Sequence, residues 1–248
     1  MNDPYRRIVN RYKKALSHYQ LIEDNDKILV AVSGGKDSLL LLELLGGTMR
    51  IHRPKIVVEA LHVRMDNIAY ESDTSYLERF AEECGVPLHV VTTSFDPTTD
   101  RRKTPCFLCS WNRRKQLFNY AQEHGFNKIA LGHHQDDIIH TALMNMTFQG
   151  QFSSMRPSLK MDKMPLTLIR PLCLVVEEDI RAYARQRGYI KQTKLCPYDK
   201  DTRRTMIREW FEALEKTAPE ARYSILHALW HDTLERDGER TAEDKGMA

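Results

Sequence analysis

Residues 27–38 constrain the fold more than any other stretch of this chain. Lys27-Ile-Leu-Val-Ala-Val-Ser33 is a short apolar run of the kind that forms a strand buried on both faces. It ends in Gly34-Gly35, and Asp37 to Leu45 then reads as a helix. A doubly buried strand feeding a helix belongs to a parallel sheet with helices on each side. The rest of the chain repeats the alternation. Further strands are expected at 56–63, 87–92, 127–132 and 166–170, with helices at 73–84, 110–124, 136–147 and 177–187. Residues 5–21 form a basic amphipathic helix, with Ile8, Tyr12, Leu16 and Tyr19 on one face.

The fold class is therefore α/β, a parallel sheet covered by helices on both faces, with a small helical extension at the C-terminus. The expected division is an N-terminal basic helix over 1–22, the α/β domain over 23–188, a polar helical extension over 189–235, and a tail over 236–248 whose composition suits disorder. Ligands of such sheets bind where strands end. The glycine turn, His62-Val63 and Gly132-His133 all fall at expected strand ends.

A chain of 248 residues can bury a core without disulfides. There is no apolar stretch of the roughly 20 residues that spans a bilayer, and no signal-peptide pattern at the start. The expected location is the cytoplasm. Cysteines number five (Cys84, Cys106, Cys109, Cys173, Cys196), and an odd count there points to metal or thiol chemistry. The net charge of +3 does not by itself imply nucleic acid, but the cations are clustered. Arg6, Arg7, Arg11, Lys13 and Lys14 crowd the start, Arg101, Arg102 and Lys103 precede the C-x-x-C, and Arg113, Arg114 and Lys115 follow it. Arg203, Arg204 and Arg208 form a later group. Such clusters neutralise phosphates, or else form a solvated face.

Ser33-Gly34-Gly35-Lys36-Asp37-Ser38 is the strongest local signal. Two glycines let successive backbone N–H groups converge on an anion, and the following helix aims its positive end at the same place. Ser33 and Ser38 add hydroxyls and Lys36 a cation. The Walker A spacing is absent. Asp37 is either a magnesium contact or a first-turn acid that favours the helix dipole.

Cys106-Phe-Leu-Cys109 is a C-x-x-C that can hold one metal or one cluster edge. Together with Cys196, which precedes a proline, it can hold three irons of a [4Fe-4S] cluster and leave the fourth open to an exogenous sulfide. A redox dithiol, and zinc bound by three cysteines plus His or Asp, remain open on chemistry alone. Cys84 and Cys173 read as small buried apolar residues, with Cys173 also weighed as an extra ligand or sulfur relay. Gly132-His133-His134-Gln135-Asp136-Asp137 follows a strand and opens a helix. There Gly132 allows close approach to a ligand, His133 and His134 can touch phosphate or base, and Asp136 and Asp137 can position magnesium. The structural alternative is a helix start with two favourable acids. Arg170, before Pro171, faces phosphate or a salt bridge.

The hexapeptide Ser33–Ser38 resembles the PP-loop of the ATP pyrophosphatases, which cleave ATP between the α and β phosphates and place AMP on a carbonyl oxygen. The PP-loop, the C-x-x-C, Gly132–Asp137, Ile169-Arg-Pro-Leu172 and Cys196 occur in the order seen in the tRNA 2-thiocytidine synthetase (TtcA) family, and the similarity runs from about residue 5 to about 230. The resemblance implies a HUP-like PP-loop domain and ATP-dependent replacement of the C2 oxygen of an anticodon-loop cytidine, position 32, by sulfur. It implies ATP, Mg2+ and a [4Fe-4S] cluster on Cys106, Cys109 and Cys196. ATP would be held by Ser33, Gly34, Gly35, Lys36, Asp37, Ser38, His62, Val63 and Gly132, with catalytic roles for Lys36, Asp37, His133 and Asp136. The implied partners are tRNA, contacted by Arg113, Arg114, Arg203 and Arg204, a sulfur donor such as a cysteine desulfurase, and a second copy of the chain. The sequence departs from the family in lacking a further cysteine soon after Cys196 and in placing Trp111 after Cys109. The alternatives are another PP-loop base modification (2-thiouridine or lysidine type) or a non-enzymatic redox module that binds nucleotide and metal.

Overall fold

A computed structural model describes residues 3–51, 53–70, 74–96, 98, 104–192, 194–195 and 202–230. The chain forms two compact units, Met1–Gln135 with Arg156–Asp199, and Asp136–Met155 with Lys200–Ala248. This cut differs from the expected one. The N-terminal helix belongs with the sheet, and the helical unit draws residues from the middle of the chain as well as from its end.

The first unit holds a six-stranded sheet. In chain order its strands are β1 (Lys27–Ala31), β2 (Val57–Met65), β4 (Leu88–Thr93), β5 (Lys128–Ala130), β6 (Ser158–Lys160) and β7 (Thr167–Ile169), and their spatial order is β4-β2-β1-β5-β7-β6. The first five neighbours are parallel and β6 alone runs antiparallel, against β7. The five sequence-read strands are the five parallel ones. Strand β6 has no counterpart among the expected strands, because all three of its residues are exposed and it carries no burial pattern. A separate two-stranded pair joins β3 (Ala69–Tyr70) to β8 (Lys194–Leu195).

Strand β1 sits at the centre, and Ile28, Leu29 and Val30 are fully buried. Leu29 packs with Leu61 and Val63 of β2, Ile129 of β5 and Leu168 of β7, and the alternating Ile28 and Val30 are buried on the opposite face, so the run is apolar throughout. Strand β2 corrects one boundary. It continues through Arg64 and Met65, paired with Thr92 and Thr93 of β4, so His62 and Val63 lie inside the strand and not at its end. Ladder hydrogen bonds carried it past the point where the apolar run broke at Arg64.

Helices α2 (Lys36–Met49), α3 (Ser75–Cys84) and α4 (Pro105–Glu123) cover the sheet, while α6 (Glu177–Arg187) packs on α2 and on α1 (Pro4–His18). Asp3 caps α1 by accepting from the Tyr5 N–H, and Pro4 occupies the first turn. Arg7 and Arg11 both reach Asp179 of α6, at 2.6 and 2.9 Å. Two of the N-terminal cations thus fasten a helix, while Arg6, Lys13 and Lys14 stay exposed.

At the amino edge of the sheet, Asp26 and Lys128 form a buried pair at 2.7 Å. Asp26 also accepts from Asn127 and from the Glu23 N–H, and Lys128 donates to the Leu21 carbonyl. Two charges removed from water are tolerated there because their hydrogen-bonding capacity is satisfied.

The second unit contains α5 (Gln135–Gln149, all but its first residue), α7 (Thr202–Thr217) and a further helical run at 221–230. Ile138, Ile139, Leu143, Ile207 and Phe211 are buried. Asp136 pairs with Arg222 at 2.8 Å, Arg222 also holds Glu215 at 2.6 Å, and Asp137 pairs with Arg204. Among the described residues no helix is long and apolar enough to cross a membrane.

Candidate functional site

The turn after β1 is a self-bonded cradle. Gly34 has φ +81°, the left-handed region that the sequence anticipated for this glycine. The Ser38 hydroxyl accepts from the Ser33 N–H at 3.2 Å and donates to the Gly35 carbonyl at 2.9 Å, and the Ser33 hydroxyl reaches it at 3.2 Å. Both serines hold the turn's shape before any ligand arrives. Gly35 is the N-cap of α2, so the positive end of a 14-residue helix opens into the turn.

Lys36 is tied to two carboxylates. Its Nζ lies 2.9 Å from Glu177 and 3.1 Å from Asp37. Burial works against the Lys36 ammonium, but the charges of Asp37 and Glu177 outweigh it and raise its pKa above the ordinary lysine value. Burial likewise opposes ionisation of Glu177. The hydrogen bond and charge of Lys36, with His134 and Arg181 nearby, overcome that and hold its carboxyl below the usual range. Both groups are ionised at neutral pH.

His134 is buried, with Nε2 3.7 Å from Asp37 Oδ1. The sequence favoured His133 of this pair, yet the structure sets His134 beside the acid. Gly132 gives the loop after β5 its close approach. A Cβ there would stand 3.1 Å from the Asp37 carbonyl and 3.2 Å from the Ser38 nitrogen. The neighbour that Gly132 accommodates is thus the first turn of α2. His62 is buried in β2, and its Nδ1 lies 2.8 Å from the Val32 carbonyl. A carbonyl only accepts, so Nδ1 carries the proton.

Two residues that the sequence did not single out complete the cradle. Glu177 opens α6 and neutralises Lys36 from 141 positions away. Gln192, after α6, donates its N–H to the Gly34 carbonyl at 3.0 Å and lays its side chain over that glycine. A Cβ on Gly34 would lie 2.6 Å from the Gln192 Cβ. The Gln192 side chain is buried, and neither its amide nitrogen nor its oxygen has a hydrogen-bond partner among the described residues. No pattern in one sequence marks either residue, because each acts through the fold and not through a motif.

The C-x-x-C lies in the first turns of α4. That helix begins at Pro105, five residues earlier than expected, because the Thr104 hydroxyl caps it by accepting from the Phe107 N–H and Pro105 suits the first position. Cys106 is exposed and Cys109 half-buried. Spaced by three on a helix, they face one side. Cys109 packs against Met65, Ile68, Phe95 and Leu108, placing the pair where β2 and β4 end, the edge from which the Ser33–Ser38 turn also projects. Cys196 lies outside the described residues, as do Arg101, Arg102 and Lys103 and the tail from 231. The strand just before Cys196 is described. Leu195 pairs with Ala69, next in the chain to Ile68 of the same cluster.

Cys84 and Cys173 are buried, and burial pushes both thiols up to about 12. They remain protonated at neutral pH, which suits the reading of small apolar residues. Among the described residues no group of three His, Cys, Asp or Glu side chains can hold a metal ion. The two thiols of α4, one exposed and one half-buried, are soft ligands on one face, a donor set that suits one edge of an iron–sulfur cluster and requires at least one more ligand.

The other sequence-read residues are placed as follows. Asp136 and Asp137 carry the ion pairs of the second unit, to Arg222 and Arg204. Arg203 lies over the Phe148 ring at 5.2 Å. Arg114 is exposed and Arg113 half-buried on α4. Arg170 is buried and donates to the Arg156 carbonyl.

Residues 4–212 match the PP-loop domain family. Among curated proteins, the chain is 38% identical over 220 residues to the tRNA-cytidine(32) 2-sulfurtransferase of Bdellovibrio bacteriovorus, covering 87% of this chain and 84% of that protein. It is 34% identical to the tRNA-cytidine(32) 2-sulfurtransferase of Geobacter metallireducens, covering 96% of each. Among solved structures, the U34-tRNA thiolase NcsA from Methanococcus maripaludis with its [4Fe-4S] cluster superposes with a TM-score of 0.77 at 26% identity, over 94% of this chain and 79% of that one.

Proposed function

We propose, because this chain belongs to the PP-loop domain family and is 34–38% identical to tRNA-cytidine(32) 2-sulfurtransferases over most of its length, that it is a sulfurtransferase which converts cytidine 32 of tRNA to 2-thiocytidine at the expense of ATP. The observation that carries this reading is the shared edge of the sheet. The anion cradle after β1 and the two α4 thiols stand at the ends of adjacent parallel strands.

The cradle's part is to bind and orient. Its N–H groups and the start of α2 take the phosphates of ATP, and Lys36 balances their charge. Asp37, which faces the same turn, is the proposed contact for magnesium. The C2 oxygen of the cytosine attacks the α-phosphorus, the bond to the β-phosphate oxygen breaks, and pyrophosphate departs with the electron pair. AMP then leaves with the original oxygen when sulfur bonds to C2. The proposed proton carriers in this exchange are His133 and His134, the latter supported by its 3.7 Å approach to Asp37.

Cys106, Cys109 and Cys196 are the proposed holders of a [4Fe-4S] cluster, which when bound supplies an iron with an open position for sulfide. The pairing of β8 with β3 supports Cys196 in that role, since it brings the preceding residue to the strand that leaves the Cys109 cluster. For Asp136 and for Arg113, Arg114, Arg203 and Arg204, roles in magnesium or tRNA binding stay proposals. The further expectations are a cysteine desulfurase or similar sulfur donor, a homodimer, and a cytoplasmic location.

The test is mass analysis of tRNA nucleosides from a strain that carries only this gene for the activity. Wild type is expected to yield 2-thiocytidine and Cys196→Ala to yield none, while the purified variant binds ATP as wild type does. Undiminished 2-thiocytidine in the variant strain would overturn the cysteine assignment. Lysidine or 2-thiouridine in its place would overturn the base.

A further inference from the structure

A cavity of about 430 Å³ opens beside the turn. Gly35, Lys36 and Asp37 of the α2 start line one side, and Arg181 and Arg185 of α6 with Lys191 line the other. These six residues all belong to the sheet unit. The size suits a small molecule, where an RNA backbone would need an open track.

The charges around it are unequal. Four cations line the cavity and Asp37 is the one carboxylate among its lining residues. Glu177, just behind, holds both Lys36, at 2.9 Å, and Arg181, at 2.8 Å. Arg185 and Lys191 have no ion-pair partner among the described residues, and both are exposed. Four positive and two negative charges leave an excess of two. Arg181 and Arg185 also sit one turn apart on α6, a like-charge spacing that costs stability in the empty protein. An anion placed between α6 and the positive end of α2 removes that cost and satisfies both unpaired cations.

We propose that Arg185 and Lys191 form a phosphate subsite opposite the Ser33–Ser38 turn, which takes the terminal phosphates of ATP and retains them as pyrophosphate after the α–β bond breaks. The proposal rests on the adenylating activity put forward above for its choice of ligand. On this assignment the turn grips the phosphates from one side and α6 from the other, so the leaving group is held from two directions.

Inorganic pyrophosphate is the probe, because its binding needs neither turnover nor tRNA. Calorimetric titration of the full-length protein is compared with that of Arg185→Ala/Lys191→Ala, after thermal melting has shown that the exposed substitutions leave the fold intact. Two charge-assisted contacts are lost, so affinity for pyrophosphate and for a non-hydrolysable ATP is expected to fall about 10- to 100-fold, with AMP affinity unchanged within about two-fold. Arg185→Lys should recover part of the loss. Unchanged pyrophosphate affinity in the double variant would overturn the subsite. A loss confined to tRNA binding would overturn it too, by assigning the cations to RNA phosphate. If wild type binds pyrophosphate through these residues yet releases none from ATP and tRNA, the subsite stands and the proposed reaction falls.

Discussion

The two edges of the same sheet use the same kinds of charged residue to opposite ends. At the amino edge, Asp26 and Lys128 are nearly inaccessible and are saturated by each other, by Asn127 and by two backbone groups. At the carboxyl edge, Lys36, Arg181, Arg185 and Lys191 outnumber the acids near them and keep partial contact with solvent. A charge network that is complete in the protein alone holds strands together. One that is left incomplete is prepared for something the protein does not itself contain.

Breaking the amino edge gives the largest expected effect. Asp26→Ala strands a buried ammonium and should cost about 3–5 kcal/mol, lowering the melting temperature by roughly 6–20 °C. Activity per folded molecule, measured well below that temperature, should not change. A collapse of activity in molecules that remain folded would erase the distinction between the edges.

Lys36→Met tests the other side. It removes a cation from the cradle and should reduce kcat about 10²–10³-fold, equivalent to about 2.7–4 kcal/mol of barrier, with a melting temperature only about 2–4 °C below wild type. A protein that melts much earlier but turns over normally would make Lys36 a structural residue like Lys128.

The smallest effect sharpens the comparison through pH. The Glu177 carboxyl is held below its ordinary value of 4.5, so its stabilising contribution is present above that pH and is lost as the pH falls through its folded value. Its side chain is 16% exposed and so is still screened by solvent, and the contribution is worth about 1 kcal/mol. Glu177→Gln should therefore melt about 2–4 °C below wild type at neutral pH, and the gap should close under acid conditions. A gap that widens in acid would reverse the sign of the shift.

How far the sequence discloses these features depends on what each residue answers to. Gly34, Gly35, Ser33 and Ser38 answer to their immediate neighbours, since the turn is built within six positions, and the residues alone indicate it. Strands β1, β2, β5 and β7 were legible for a similar reason, because burial leaves apolar runs, whereas the edge strand β4 has no buried residue and shows only in its short apolar stretch. Glu177 and Gln192 answer to residues 141 and more positions away, and nothing local to either marks it. The start of α4 is marked by Thr104-Pro105 as a cap and first-turn proline, a local signal lying five residues ahead of the expected start at 110. Asp136 and Asp137 show the reverse limit. Acids in a first turn suit a metal, a dipole or an arginine equally well. Only the structure shows Arg222 and Arg204 against them.

The seating of Gln192 on Gly34 has a bearing on how this segment tolerates change in length. Surface connections between elements ordinarily accept insertions and deletions. Here one end is docked on the phosphate turn at Gln192, and two residues later the chain enters β8 in register with β3. One added residue between Gln192 and Lys194 would either lift the glutamine from its glycine or slide β8 by one place, which reverses the face each of its residues presents. The spacing from the turn to the cysteine that follows β8 is thus ruled like a measuring stick, even though it runs through what the sequence presents as an ordinary polar loop.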